Sequence, residues 1–203
     1  MSTEGERIKE RSVDSLQKIY AVVVALAVTT AIQSLLKDPV AATLLALSQI
    51  MTGLPAFVAF LVTLVPFWHG MNRHLDRCYL EKKSAVVQGA LLLDFVTFFI
   101  EASLLFAAAW SLRSGIYSFA ALGALLLVDM LWGFISYQIH FPGQKSHVRM
   151  WSAINLVAIV IAILVVDYPF QHKSIVLMVV AILRSIVDYG FCWDFYFPRQ
   201  EQR

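Results

Sequence analysis

Apolar positions along this chain come in six long blocks, at approximately residues 18–36, 40–68, 85–112, 116–140, 149–166 and 174–197. Each block is long enough to cross roughly 30 Å of hydrocarbon as a helix rising about 1.5 Å per residue. Polar and charged residues are gathered between the blocks, and the gaps are short, so successive helices are expected to run antiparallel. The pattern predicts an all-α polytopic membrane protein, a six-transmembrane-helix bundle. It divides the chain into an N-terminal tail over 1–17, one transmembrane domain over 18–197 and a C-terminal tail over 198–203. Local punctuation supports the boundaries. In "KDPV", Asp38 can cap a helix that starts at Pro39. "FPGQKSH" ends the fourth block at Pro142 and Gly143, and "DYPFQHKS" reads as a turn.

Lys and Arg positions orient the bundle. Arg7, Lys9, Arg11, Lys18, Arg73, Arg77, Lys82, Lys83, Lys145, Arg149, Arg199 and Arg203 share one side, and only Lys37, Arg113 and Lys173 lie on the other. The excess of bases on cytoplasmic loops then predicts that both termini are cytoplasmic and that the protein is a multi-pass protein of the cell membrane. The first block reads as a retained helix and not a cleaved signal, because its leader is long and carries Glu4, Glu6, Glu10 and Asp14.

Composition strengthens the class. Of 203 residues, 59% are hydrophobic and 15% charged, against about a quarter charged in soluble domains. The lipid bilayer is therefore the first partner. A net charge of +2 speaks against nucleic acid. The inner bases can also hold anionic lipid. The small residues Ala107 to Ala109 and Ala120 to Ala124 suit close packing or a homo-oligomer. Two cysteines make no disulfide framework.

The chemistry lies in charges placed inside the blocks. Asp94, Thr97 and Glu101 share one face of the third helix, at i, i+3 and i+7. Asp129, Gly133, Ser136 and His140 make a stripe on the fourth. Arg184 and Asp188 are i and i+4 on the sixth, within reach of each other. Ser152 and Asn155 add polar groups from the fifth. Counted from the expected inner ends, Asp94, Asp129, Asp188 and Arg184 lie about 15, 18, 15 and 21 Å deep, with Glu101 nearer the outer face. A charged side chain facing lipid costs about 2.5–3.5 kcal/mol on insertion scales, so these stripes are expected to turn inward. One Arg against four acids leaves a charge deficit that protons, cations or water must offset.

Two readings follow. In one, the acids carry protons or a cation through a channel or carrier, with Asp94, Asp129 and Asp188 as carriers, Arg184 tuning them and Glu101 at the outer mouth. Gly53 and Pro55, with Ser48, Gln49 and Thr52 nearby, add a candidate kink with exposed carbonyls. In the other, the chain is a non-catalytic scaffold, sensor or effector subunit, and the ion network only locks the helices. Asp94 and Asp188 also occupy comparable places in helices three and six, as a three-plus-three inverted repeat would have them.

His69, His74, His140 and His147 fall on the inner side and are weak candidates for metal or haem. His69 and His74 are five apart, which does not place two imidazoles on one helical face, so no metal site is assigned. They read instead as interfacial residues in an aromatic belt with Trp68, Tyr79 and Trp151. Met71, Leu75, Cys78 and Tyr79 keep helical spacing, either as a surface helix or as an extension of helix two. No selectivity-filter, P-loop, G-x-S-x-G or H-E-x-x-H pattern occurs, so no cofactor is assigned and the chain leans away from an enzyme.

Overall fold

The computed structural model describes residues 4–37, 43–81, 89–140, 147–169 and 172–198. The described residues form α1 (Glu4–Leu36), α2 (Leu47–Leu75), a π-helical turn over Asp76–Leu80, α3 (Ala90–Trp110), α4 (Ile116–His140), α5 (His147–Asp167), α6 (Lys173–Phe191) and a short α7 (Trp193–Tyr196). Six of these helices are long and apolar enough to cross a membrane. The expected all-helical architecture is present. Asp38, Pro39, Lys82, Lys83, Pro142, Gly143, Lys145, Arg199 and Arg203, on which parts of the boundary and orientation argument rest, lie outside the described residues.

Four boundaries differ from the expectation, each for a local reason. α1 starts at Glu4 and runs through much of the stretch read as a tail, because Val13, Leu16 and Tyr20 are buried at helical spacing. α2 starts at Leu47 and not near residue 40. The chain before it folds back on α1, with the Leu45 N–H donating to the Leu36 carbonyl at 2.9 Å. The side chain of Gln49 then accepts from the Ala46 N–H at 3.3 Å and opens the helix. At its other end α2 continues past Trp68 into the π-helical turn, so "MNRHLDRCYL" is an extension of the helix. The sixth block is interrupted at Cys192, and α7 turns back beneath α6.

The six long helices close into a ring in the order α1, α3, α4, α5, α6, α2, with α2 also touching α4 across the middle. Side-chain pairs give the directions. Ser185 meets Val62, His69 meets Tyr189 and Arg73 meets Phe195, so α2 and α6 run parallel. Asp94 meets Trp132 and Ala108 meets Ser118, so α3 and α4 run antiparallel. α2 and α3, neighbours in sequence, make little contact; α3 packs along α1 instead. The two halves are not packed alike, since α1 lies against α3 whereas α4 and α6 barely touch.

Alanines allow the closest approaches. Ala27 and Ala31 of α1, Ala56 and Ala59 of α2, and Ala108 and Ala109 of α3 are all buried in one apolar core. Gly123 is not part of such an approach, because a Cβ there would meet nothing within 4 Å. The outer surface carries Val22, Leu26, Phe99, Leu131, Leu164 and Leu183, all exposed, as a lipid-facing ring requires. The turn between α3 and α4 is held by Gly115 at φ +50° and by the Ser118 hydroxyl donating to the Ala108 carbonyl at 2.9 Å.

Gly133 packs α4 against α5: a Cβ there would lie 2.8 Å from Cζ3 of Trp151. Gly133→Ala should therefore destabilise the bundle by about 1–3 kcal/mol through overpacking. In a Trp151→Leu background the same change should cost nothing measurable. Thermal unfolding in detergent of the two single variants and the double variant checks both.

Candidate functional site

The polar stripes do turn inward. Asp94, Thr97, Glu101, Asp129, Asn155, Arg184 and Asp188 are all buried. Their heights follow from the register between the helices. We call the end where α1 begins and α6 finishes the proximal end. Asp94 sits opposite Trp132 and Ala108 opposite Ser118, so Asp94 is nearest the proximal end and Asp129 falls between Asp94 and Glu101 in height. Ser185 at Val62 and His74 at Ser136 put Asp188 close to the height of Asp129, with Arg184 about one turn deeper, near Glu101. Glu101, two turns along α3 from Asp94, lies farther from the proximal end than Asp129, in the order expected.

Asp94 is the best-satisfied acid. The Tyr79 hydroxyl donates to Oδ2 at 2.7 Å, and the Trp132 indole N–H donates to Oδ1 at 2.9 Å. His74 Nε2 stands 3.7 Å from Oδ2. One carboxylate thereby joins the end of α2, α3 and α4. The π-helical turn matters here: its additional residue lets both Cys78 and Tyr79 face inward. Tyr79, expected in an interfacial belt, is fully buried.

A second knot ties α5, α6 and α7. Arg184 Nε donates to Asn155 Oδ1 at 2.8 Å, and Nη2 lies 3.4 Å from Asp188 Oδ2. The Tyr196 hydroxyl donates to the same Asp188 oxygen at 3.0 Å. This contact exists because α7 folds back, which brings the Tyr196 ring against α2 at Gly70. Arg184 Nη1, Asp188 Oδ1 and Asn155 Nδ2 make no hydrogen bond among the described residues. Arg184 and Asp188 are the charges that act on Asp129.

Glu101 is the outlier. It is fully buried, and neither carboxylate oxygen has a hydrogen-bond partner among the described residues. Its charged neighbours are Asp129 and Asp94. The Tyr20 hydroxyl, also buried and without a hydrogen bond among the described residues, feels both Glu101 and Asp129. Asp129 and Arg184 in turn line a cavity of about 100 Å³ between α2, α4, α5 and α6. His74 and Arg77 also line that cavity, towards its proximal side. The wall between these polar groups is aromatic, with Trp132, Trp151 and Tyr196.

The group near Pro55 does not join these acids. α2 runs through Pro55, and Ser48, Gln49 and Thr52 are exposed on its outside. The Thr52 hydroxyl donates back to the Ser48 carbonyl at 3.0 Å. Of the inner bases, Arg73 is engaged by Glu81 at 2.7 Å and by the Phe195 carbonyl at 3.1 Å, so it is a tether between α2 and α7.

The histidines separate into two places. His69 lies with Tyr189, Tyr196 and Phe197, its Nδ1 3.3 Å from the Tyr189 hydroxyl. His74 and His140 come together beside Cys78, and one ligand atom from each of the three lies within 4.8 Å of the others. The side chain of His147 lies outside the described residues. As site residues, the sequence reading missed Tyr20, Trp132 and Tyr196 and gave Cys78 and Tyr79 only a helical face and an interfacial place. For one of them a signal was present: "HLDRC" places Cys78 four residues after His74, on the same helical face.

No protein-family model, curated protein or solved structure matches this chain. What the chain does must therefore be argued from the side chains themselves.

Tyr79→Phe removes a donor from a buried carboxylate and leaves the shape unchanged. The expected loss is about 1–3 kcal/mol of stability. It should appear as a lower unfolding temperature in detergent, and combining it with Asp94→Asn should cost less than the sum of the single changes.

Proposed function

We propose that this is a multi-pass protein of the cell membrane, with both termini cytoplasmic, that moves protons or a small cation through the bundle. The path runs from the cavity at Arg184 and Asp129, with Asp188 paired to Arg184 beside it, to Glu101. The orientation rests on the Lys and Arg bias, which puts the proximal end on the cytoplasmic side.

The observation that carries the reading is Glu101. A carboxylate this deep, with no donor on either oxygen among the described residues and two acids near it, needs a proton or a cation as its partner. Asp129 stands between it and the cavity, so the partner can be exchanged from one side. Arg184 lines the same cavity, its Nη1 without a hydrogen bond among the described residues, and offsets the charge of Asp129 or Asp188 as either one ionises. Asp94 has a different part. Both its oxygens are occupied by fixed donors, so it positions α3 and α4 and does not carry the ion. Thr97 and Asn155 face the interior as polar neighbours of the path, Asn155 by holding Arg184.

The scaffold or effector-subunit reading draws on the knots at Asp94 and Asp188, which are arranged as interhelical ties.

Proton flux into liposomes under an imposed potential separates the two. Glu101→Gln and Asp129→Asn should each lower flux at least ten-fold while the protein still elutes as the folded species. Flux at the level of empty liposomes for the unaltered protein, or unchanged flux in both variants, would leave the scaffold reading.

A further inference from the structure

At the proximal end, the Cys78 thiol and the rings of His74 and His140 converge inside the bundle. Cys78 Sγ is 3.4 Å from Nε2 and 3.7 Å from Nδ1 of His74. The two imidazole centroids are 5.8 Å apart, with the rings nearly perpendicular. One sulfur and two ring nitrogens all lie within 4.8 Å of one another. Tetrahedral zinc with Zn–N near 2.0 Å and Zn–S near 2.3 Å needs N···S edges of about 3.5 Å and N···N edges of about 3.3 Å. The three donors therefore reach a common ion with side-chain adjustment alone.

We infer that His74, Cys78 and His140 form a site for a thiolate-preferring transition metal of the zinc class. The inference is independent of the ion path through Asp129 and Glu101.

Five further observations point the same way. The donor set is one thiolate and two imidazoles, which selects zinc-class ions over magnesium or calcium. With His74 Nδ1 on the metal, its Nε2–H faces the Ser136 hydroxyl at 3.1 Å and the Asp94 carboxylate at 3.7 Å. That is the carboxylate–histidine–metal arrangement which fixes a ligating ring. The charges also close: a divalent ion, the Cys78 thiolate and the Asp94 carboxylate sum to zero, as a buried site requires. Tyr79 supplies the remaining polar atom, its hydroxyl 3.4 Å from His140 Nε2 and 2.7 Å from Asp94. Finally, His74 lines the cavity that Arg77 borders, which gives an ion a route to the donors.

Binding needs no redox partner. The thiol proton leaves to water as the sulfur–metal bond forms, and the three protein ligands leave a fourth position for water.

The test uses the full-length protein purified in detergent. After chelation and dialysis, Zn²⁺ added in excess and then desalted should remain at one ion per chain by elemental analysis. Co²⁺ in its place should give a sulfur-to-cobalt charge-transfer band that saturates at one equivalent. Cys78→Ser should abolish that band, and His140→Gln should weaken Co²⁺ affinity at least ten-fold. His69→Ala should leave both readouts unchanged, since His69 lies in the separate Tyr189–Tyr196–Phe197 cluster. Should a ligand variant fail to fold, the unaltered protein still decides. No retained Zn²⁺ and no charge-transfer band at stoichiometric Co²⁺ overturn the assignment, as does a band that persists in folded Cys78→Ser.

Discussion

Carboxylates buried in an apolar bundle organise this molecule. A charged side chain turned to lipid costs several kcal/mol, whereas turned inward it can meet donors from other helices. The chain carries four such acids on three helices, and the ring α1, α3, α4, α5, α6, α2 closes with all four inside. The outward faces are then free to be uniformly apolar. Helix order follows as well: α3 lies between α1 and α4 because its acidic face must look towards Tyr20, Tyr79 and Trp132.

The acids nevertheless end in three different situations, and their partners decide which. Asp94 receives two strong hydrogen bonds and stands near a histidine; it behaves as a pin. Asp188 shares an ion pair and a tyrosine hydroxyl, and keeps one oxygen without a hydrogen bond among the described residues. Glu101 receives nothing among the described residues. This gradient from saturated to bare runs inward from the proximal end. It puts the least satisfied groups deepest, where low dielectric makes each unpaired charge most costly and each proton or cation most tightly held.

The π-helical turn at Asp76–Leu80 links these features. It carries Tyr79 to Asp94 and Cys78 to His74 at once, so the structural pin and the thiol–imidazole cluster share a carboxylate and a histidine. Such single-turn insertions recur where a helix must present two neighbouring side chains to one interior. Arg73, held by Glu81 and the Phe195 carbonyl, fastens the same turn to α7, whose Tyr196 closes the second knot.

The helical class, the number of spans and the inward direction of the Asp94, Asp129 and Asp188 stripes were legible in the amino-acid sequence. These depend on composition and on a 3.6-residue period, and hydrocarbon forces both. The Arg184–Asp188 pair was legible too, because i and i+4 positions meet within one helix whatever surrounds them. What only the tertiary structure decided is which helices are neighbours and who meets each acid. Tyr79 reaches Asp94 through a change of helical period that no spacing rule anticipates. Tyr196 reaches Asp188 only after the chain breaks at Cys192. His140 meets His74 and Cys78 from 62 or more residues away. Contacts between helices depend on ring order and axial register, which are set by packing over the whole bundle and leave no local mark on any one span.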